Sequence, residues 1–533
     1  MTRERCGTHP RGLGGRRRPG SARQAGWRTL LLLLPALSLA AAEAPSRSCF
    51  VIKVVDADTG RGVPLVELKT VHAIRFWTDS AGVVAFDEPG LMGQEVFFHV
   101  RSHGYEEPKA DGFGIRGVRL KAMAGQTATV KIKRVNIAER LYRITGGGIY
   151  RDSVLAGLPV PLKQPVLNGK VLGQDTVAMT EYKGRYFWLW GDTNRPGYPL
   201  GNFATSSATS LPPGRGGLDP SVGIDLTYFV DPEGFSKKMC PLPEPGVVWM
   251  GSLIALPDGS KNERLLARWS RLTGLTELKE RGFAVFNDKT EQFEKLTTFA
   301  DTQHVIPDWQ AYRDGGPEPD RDHIYFVSPF PNIRIRASVE AFQQPERFEA
   351  FTCLKAGARY TGKDAELDRD AGGRLVWAWK PNASPVNDPQ WDELCKANRV
   401  KPDEAWNWVV DAKSGKHVRN HNGTVGYSPF RKRYFLVILQ AGGDTSYLGE
   451  VWYAEAEKLE GPWRKAVKIV THDKYTFYNV CHHPEFDQKN GQIIYFEGTY
   501  CSTFSGNNDV TPRYDYNQMM YRLDLADPRL RTE

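Results

Sequence analysis

Gly173-Gln174-Asp175-Thr176-Val177-Ala178-Met179-Thr180-Glu181-Tyr182-Lys183-Gly184-Arg185-Tyr186-Phe187-Trp188-Leu189-Trp190-Gly191-Asp192-Thr193 reads as two strands around a Lys-Gly turn. One acid opens the first strand and another follows the second. An antiparallel hairpin brings its chain back to where it began, so Asp175 and Asp192 are expected near one end of a sheet.

The same theme, a polar turn followed by an aromatic-rich apolar strand, recurs four more times. The later copies run Lys261-Asn262-Glu263-Arg264-Leu265-Leu266, Asp322-His323-Ile324-Tyr325-Phe326, Arg431-Lys432-Arg433-Tyr434-Phe435-Leu436 and Lys489-Asn490-Gly491-Gln492-Ile493-Ile494-Tyr495-Phe496. Five unevenly spaced copies predict an all-β chain with a five-bladed β-propeller over residues 145–530. The longest interval holds Trp391, Leu394 and Cys395 at helical spacing, which predicts a partly helical insertion at about 355–415.

Ahead of this region, residues 47–135 carry short strands separated by turn signals such as Asp56-Ala57-Asp58-Thr59-Gly60 and Thr78-Asp79-Ser80-Ala81-Gly82. Closely spaced short strands predict a small β-sandwich. The join near 134–151 has large side chains and no Ser/Pro run, so the two parts are expected to pack together. The succession Val54-x-Asp56-x-x-Thr59-Gly60-x-x-Val63-Pro64, then Thr78-Asp79-x-x-Gly82-x-x-x-Phe86 and Gly104-Tyr105, resembles the transthyretin-like or carboxypeptidase-regulatory-like sandwich. That resemblance implies a fold and no activity.

The chain carries a net charge of +8, with 41% hydrophobic and 25% charged residues. Much of the positive charge lies before residue 29, where eight arginines face the single acid Glu4. The rest is nearly balanced, which argues against a nucleic-acid partner. The basic run leads into Leu30-Leu31-Leu32-Leu33-Leu34 and then Ala40-Ala41-Ala42-Glu43-Ala44, the order of a secretory signal peptide spanning 1–44. An exported mature chain without a transmembrane segment is expected; an uncleaved anchor is the alternative, though the apolar run is short for one. Cys49, Cys240, Cys353, Cys395, Cys481 and Cys501 would remain, and export permits disulfides among them, with Cys481 and Cys501 the first pair to consider.

The opening hairpin, Glu450-Val451-Trp452-Tyr453-Ala454-Glu455-Ala456 with its following Leu459-Glu460-Gly461-Pro462-Trp463, and His483-Pro484-Glu485-Phe486-Asp487 with Ile493-Ile494-Tyr495-Phe496 together resemble the five-bladed propeller glycoside hydrolases of the arabinanase and xylosidase kind. The resemblance implies a glycan substrate and two-carboxylate, inverting hydrolysis, in which one carboxylate activates water and the other carboxyl protonates the leaving oxygen. By position it implies Asp175 as general base, Asp308 as the acid that adjusts pKa, and Glu450 as proton donor, with Glu485 and Glu497 as rivals for the last role. Each of these acids has a structural alternative: a strand cap for Asp175, a loop acid for Asp308 and a surface ion pair for the glutamates. Family chemistry draws its carboxylates from different blades, so Asp192 is expected to bind substrate or shape its turn. A non-catalytic carbohydrate- or surface-binding propeller is the competing reading.

Further candidates for contact with a glycan are Trp249, Arg334, Arg336, His421, Asn422, His483 and Glu485. Tryptophan faces stack on sugar rings, although blade cores are packed with the same residue. Arg334 and Arg336 alternate on one strand face and suit an acidic sugar, unless that face is simply solvated. No HxH or HxxxH spacing marks a metal site, and no metal ligand is assigned. Carboxylates and amides outnumber soft ligands, so a structural Ca2+ near the axis is the favoured ion if one is held. Oligomeric state is not legible.

Overall fold

A computed structural model describes residues 48–109, 114–202, 205–274 and 276–532. The expected signal peptide, 1–44, lies outside the described residues. The chain is nearly all β, with two short α-helices, Arg151–Leu155 and Asp388–Lys396, among the described residues.

The N-terminal part consists of two small sheets. In one, Phe50–Asp56 lies between Val83–Phe86, antiparallel, and Thr127–Ile132, parallel. The other runs Arg75–Trp77, Glu67–Thr70, Glu95–Arg101 and Val118–Lys121. Ile52, Val54, Val84 and Phe86 of the first share a core with Leu68, Phe98 and Val100 of the second. The turn after Phe50–Asp56 forms because the Asp56 carboxylate accepts from the amides of Asp58 (2.9 Å) and Thr59 (3.1 Å), the local bonding that makes Asp a turn former.

Five sheets of four or five strands follow, antiparallel except where Val410–Asp411 runs parallel to Lys465–Val470 at the edge of the fourth, together with a small three-stranded sheet of Gly173–Gln174, Thr193–Arg195 and Tyr198–Asn202. Each of the five recurring turn-and-strand elements is the second strand of its own sheet. The first strands are Val177–Tyr182, Val247–Pro257, Gln310–Tyr312, Asn420–Ser428 and Thr476–His482. Each of these innermost strands touches the next in that order, and the fifth touches the first. The opening hairpin has the expected register, Val177 opposite Trp190 through Tyr182 opposite Arg185. Its two-residue turn places Lys183 (φ 49°) and Gly184 (φ 74°) in the left-handed region, the conformation that matches strand twist. The fifth sheet takes its outermost strand from far upstream, where Glu139–Arg143 pairs with Asn517–Asp524.

A core fills the space between each sheet and the next. Trp188, Trp190, Tyr495 and Met520 lie between the fifth and first sheets, and Phe187, Trp269 and Phe286 between the first and second. Because both faces of a sheet are covered, strands such as Arg433–Gln440 are buried and apolar from Tyr434 to Leu439 and show no alternation there. Burying one such aromatic contributes roughly 1.5–3 kcal/mol.

The 355–415 segment extends the third sheet and has its own core around Leu354, Trp391 and Leu394. Its helix begins where Asn387 accepts from the amide of Gln390 at 3.0 Å in a capping box.

Cys240, Cys353, Cys395, Cys481 and Cys501 are free thiols. The pairing of Cys481 with Cys501 is thereby corrected. Register puts Thr476 opposite Cys501 and Glu497 opposite Cys481, so the two sulfurs sit toward opposite ends of their hairpin. That separation exceeds what a disulfide spans. Among the described residues, no helix is long and apolar enough to cross a membrane.

Candidate functional site

At one end of the ring of innermost strands, each strand carries a backbone irregularity. Thr176 (φ 47°), Ser252 (51°), Trp309 (68°) and Asn479 (59°) adopt left-handed conformations, and the fourth strand bulges between Asn420 and Asn422. Bulky and β-branched residues rarely accept such φ values, and bulges re-aim side chains. The residues at these positions bond from one innermost strand to the next. Asn422 donates to the Asn479 carboxamide at 3.2 Å, Asn479 donates to the Thr176 hydroxyl, Gln310 donates to the carbonyl of Val177 at 2.8 Å, and Ser252 donates to that of Trp309 at 2.7 Å.

Asp175 precedes the first of these strands. Its Oδ2 accepts from the Tyr478 hydroxyl at 2.8 Å and its Oδ1 from the amide of Asp192 at 3.0 Å. Close approach at Gly191 makes this possible, since a Cβ there would fall 2.3 Å from Asp175 Oδ1. Asp192 accepts from the Trp249 indole at 2.8 Å. Burial raises the pKa of Asp175 against the opposing hydrogen bonds from Tyr478, Tyr516 and the Asp192 amide. For Asp192, burial and then the neighbouring charge of Asp175 push it up to about 7, with the Trp249 bond acting in the opposite sense. Both carboxyls are thus easier to protonate than a solvated aspartate.

The structure thus brings Asp175, Asp192 and Trp249 together and places Asn422 on the same ring. The other candidates stand elsewhere. Asp308 is half exposed and paired with Arg268 at 2.8 Å. Glu450, 1% exposed, heads the third strand of the fourth sheet, where Lys468 (2.7 Å) and the Thr445 hydroxyl (2.9 Å) hold its carboxylate. Arg334 lies on the third strand of the third sheet, bonded to Glu349 at 2.7 Å and stacked 4.6 Å over Trp379; Arg336 on the same strand is exposed. His421 is the exposed bulge residue at the head of its strand. His483 is buried with Glu497 at 2.6 Å, beside Trp188, and Glu485 sits in the turn Pro484–Phe486 beyond the far end of Thr476–His482.

Sequence reading missed Tyr478, Asn479 and Tyr516. A signal was present: Asn479 interrupts the apolar run Phe477-Tyr478-Asn479-Val480, where a buried polar group needs a partner. Among the described residues, no three His, Cys, Asp or Glu side chains gather as metal ligands.

No family model matches this chain. No curated protein matches it. Among solved structures it resembles an exo-β-1,3-galactanase from Clostridium thermocellum, at 12% identity over 66% of this chain and 61% of that one, with a TM-score of 0.31. It also resembles a putative exo-β-1,3-galactanase from Bifidobacterium bifidum (11% identity, 73% and 94%, TM-score 0.34). A third is an exo-1,5-α-L-arabinanase from a bovine ruminal metagenomic library (10%, 67% and 94%, TM-score 0.33). The chain spans 61% of the length of the first of these.

Proposed function

We propose that the five sheets are the blades of a glycoside-hydrolase propeller preceded by a sandwich module, and that this exported protein cleaves a glycan at the Asp175–Asp192 pair. The observation that carries the reading is the pair itself: two carboxyls at the axial end of the innermost strands, both with raised pKa, one held near 7. Glycosidic cleavage needs one carboxylate ionised and one carboxyl protonated at the same pH. Asp175, which accepts from Tyr478 and from a backbone amide, is the better stabilised anion and takes the proton of the attacking water. Asp192, with the Trp249 indole as its donor, retains the proton and passes it to the leaving oxygen. Trp249, partly exposed beside Asp192, offers an apolar face to the sugar.

A second reading, glycan binding without cleavage, is favoured by one observation. Glu450, the carboxyl that the family resemblance assigns as proton donor, is already neutralised by Lys468. Product analysis on arabinan, xylan, galactan and a uronate-containing polymer decides between them. Release of sugar by the parent chain and its loss in Asp175→Asn supports cleavage; bound glycan with no released product leaves the binding reading.

A further inference from the structure

Between the 355–415 segment and the third and fourth sheets lies a cleft of about 400 Å3, whose walls include neither Asp175 nor Asp192. Its lining is aromatic: Phe330, Trp377, Trp391, Trp406, Trp408 and Tyr447 all contribute. The rings are fixed from behind. Trp406 donates its indole N–H to the carbonyl of Glu460 at 3.0 Å and Trp377 to that of Glu404 at 3.3 Å, while Trp408 stacks on His417 at 3.8 Å with ring planes 1° apart. Indoles held in this way present apolar faces that need not be ordered when a ligand arrives.

The charged groups in the walls are bonded within the protein. Asp388 accepts from the amide and side chain of Asn420 at 3.2 and 3.0 Å, Arg419 pairs with Asp392 at 2.9 Å, and Glu460 takes the Trp379 indole N–H at 2.9 Å. Two uncharged polar atoms have no protein partner: Asn420 Oδ1, an acceptor, and Trp391 Nε1, a donor. Apolar ring faces combined with neutral polar atoms suit a sugar, which has C–H faces and hydroxyls that both donate and accept. Without an uncommitted cation, the same walls disfavour a uronate or a phosphate.

The cleft also meets the axis. Asn420 and His421 in its wall open the innermost strand of the fourth sheet, and Asn422 continues through Asn479 to Thr176, the neighbour of Asp175.

We infer that this cleft is an accessory subsite for a neutral sugar ring, built by the 355–415 segment; the inference rests on the glycan reading for the class of its ligand. The test uses the full chain carrying Asp175→Asn, so that no ligand is consumed. Arabino-, xylo- and galacto-oligosaccharides are titrated alongside galacturonate oligomers, with tryptophan fluorescence and saturation-transfer NMR as readouts. Trp406→Ala should weaken binding of a neutral oligomer roughly tenfold. Tyr447→Ala, at a residue 58% exposed and so free of folding consequences, should weaken it about threefold; if Trp406→Ala does not fold, this variant decides alone. Unchanged affinity in a folded variant, tighter binding of the galacturonate oligomers, or no binding of any neutral oligomer overturns the inference. Failures are distinguishable. Hydrolysis by the parent chain with unaltered affinity in the variants removes the subsite and leaves the proposed reaction, whereas variant-sensitive binding without hydrolysis removes the reaction and leaves the subsite.

Discussion

The first and fourth sheets each carry an acid at the head of a strand, and the two acids meet different fates. Asp175 precedes an innermost strand, beside the left-handed Thr176, and its carboxylate accepts from the Tyr478 hydroxyl and the Asp192 amide. Glu450 heads a third strand, farther from the ring, and lies against the ammonium of Lys468 at 2.7 Å. Burial raises the pKa of Asp175 against the hydrogen bonds that hold it, whereas Glu450 has a full cationic partner. Rank within the sheet, more than residue type, separates the surroundings of the two acids.

The sharpest way to break this comparison is Asp175→Asn. Loss of a general base should lower kcat/KM by about 10^2–10^4-fold with the fold intact by circular dichroism. An active Asp175→Asn chain would remove the first sheet from the chemistry altogether. Next is Asp192→Asn, expected to cost roughly 10^2-fold and to abolish the alkaline limb near pH 7 in the profile of kcat/KM. It also changes stability with a definite sign. The folded pKa of Asp192 is raised from 3.8 to about 7, so the folded state holds a proton that the unfolded chain has released. That contribution is complete below the unfolded value and is lost as pH rises through about 7. Asp192→Asn should therefore gain on the parent at pH 8 by on the order of 4 kcal/mol in urea unfolding, and by little at pH 4.

Part of this contrast was legible in the sequence. Lys183-Gly184 and four similar turns each announced a hairpin, because turn chemistry is local and an aromatic strand after it reads clearly. The acids at the hairpin end, Asp175 and Asp192, followed from antiparallel return. Their mutual dependence did not: the approach of the Asp192 amide to Asp175 relies on Gly191 and on Tyr478 from a strand three hundred residues later. Glu450 was misleading for a related reason. Strands buried on both faces lose the alternation that would show which side chain points to the axis, and a salt bridge to Lys468 in the next strand leaves no local mark. The same two-faced burial hid His483 with Glu497 between the fifth and first sheets.

Tyr478→Phe tests whether the dipoles around Asp175 set its character. Removing a donor to the ionised form should raise the pKa of Asp175 further and move the acidic limb of kcat/KM upward by up to about one unit. The accompanying loss of rate should be about three- to tenfold. An acidic limb that does not move would show that burial alone governs this carboxyl.

The smallest effect on catalysis is expected at the other acid. In Glu450→Gln the amide keeps an acceptor for the Thr445 hydroxyl but leaves Lys468 without its counterion. Lys468 is one-third exposed, so water recovers much of that ammonium's solvation, and the stability loss should be about 1 kcal/mol, well short of that for a fully buried pair. Activity should stay within about twofold of the parent if the proposed Asp175–Asp192 reaction holds, since no step of it uses the third strand of the fourth sheet. Urea unfolding and kcat/KM on the same preparation measure both terms. A large loss of kcat with unchanged stability would reverse the ranking of the two sheets, make Glu450 the proton donor, and return Asp192 to a role in binding.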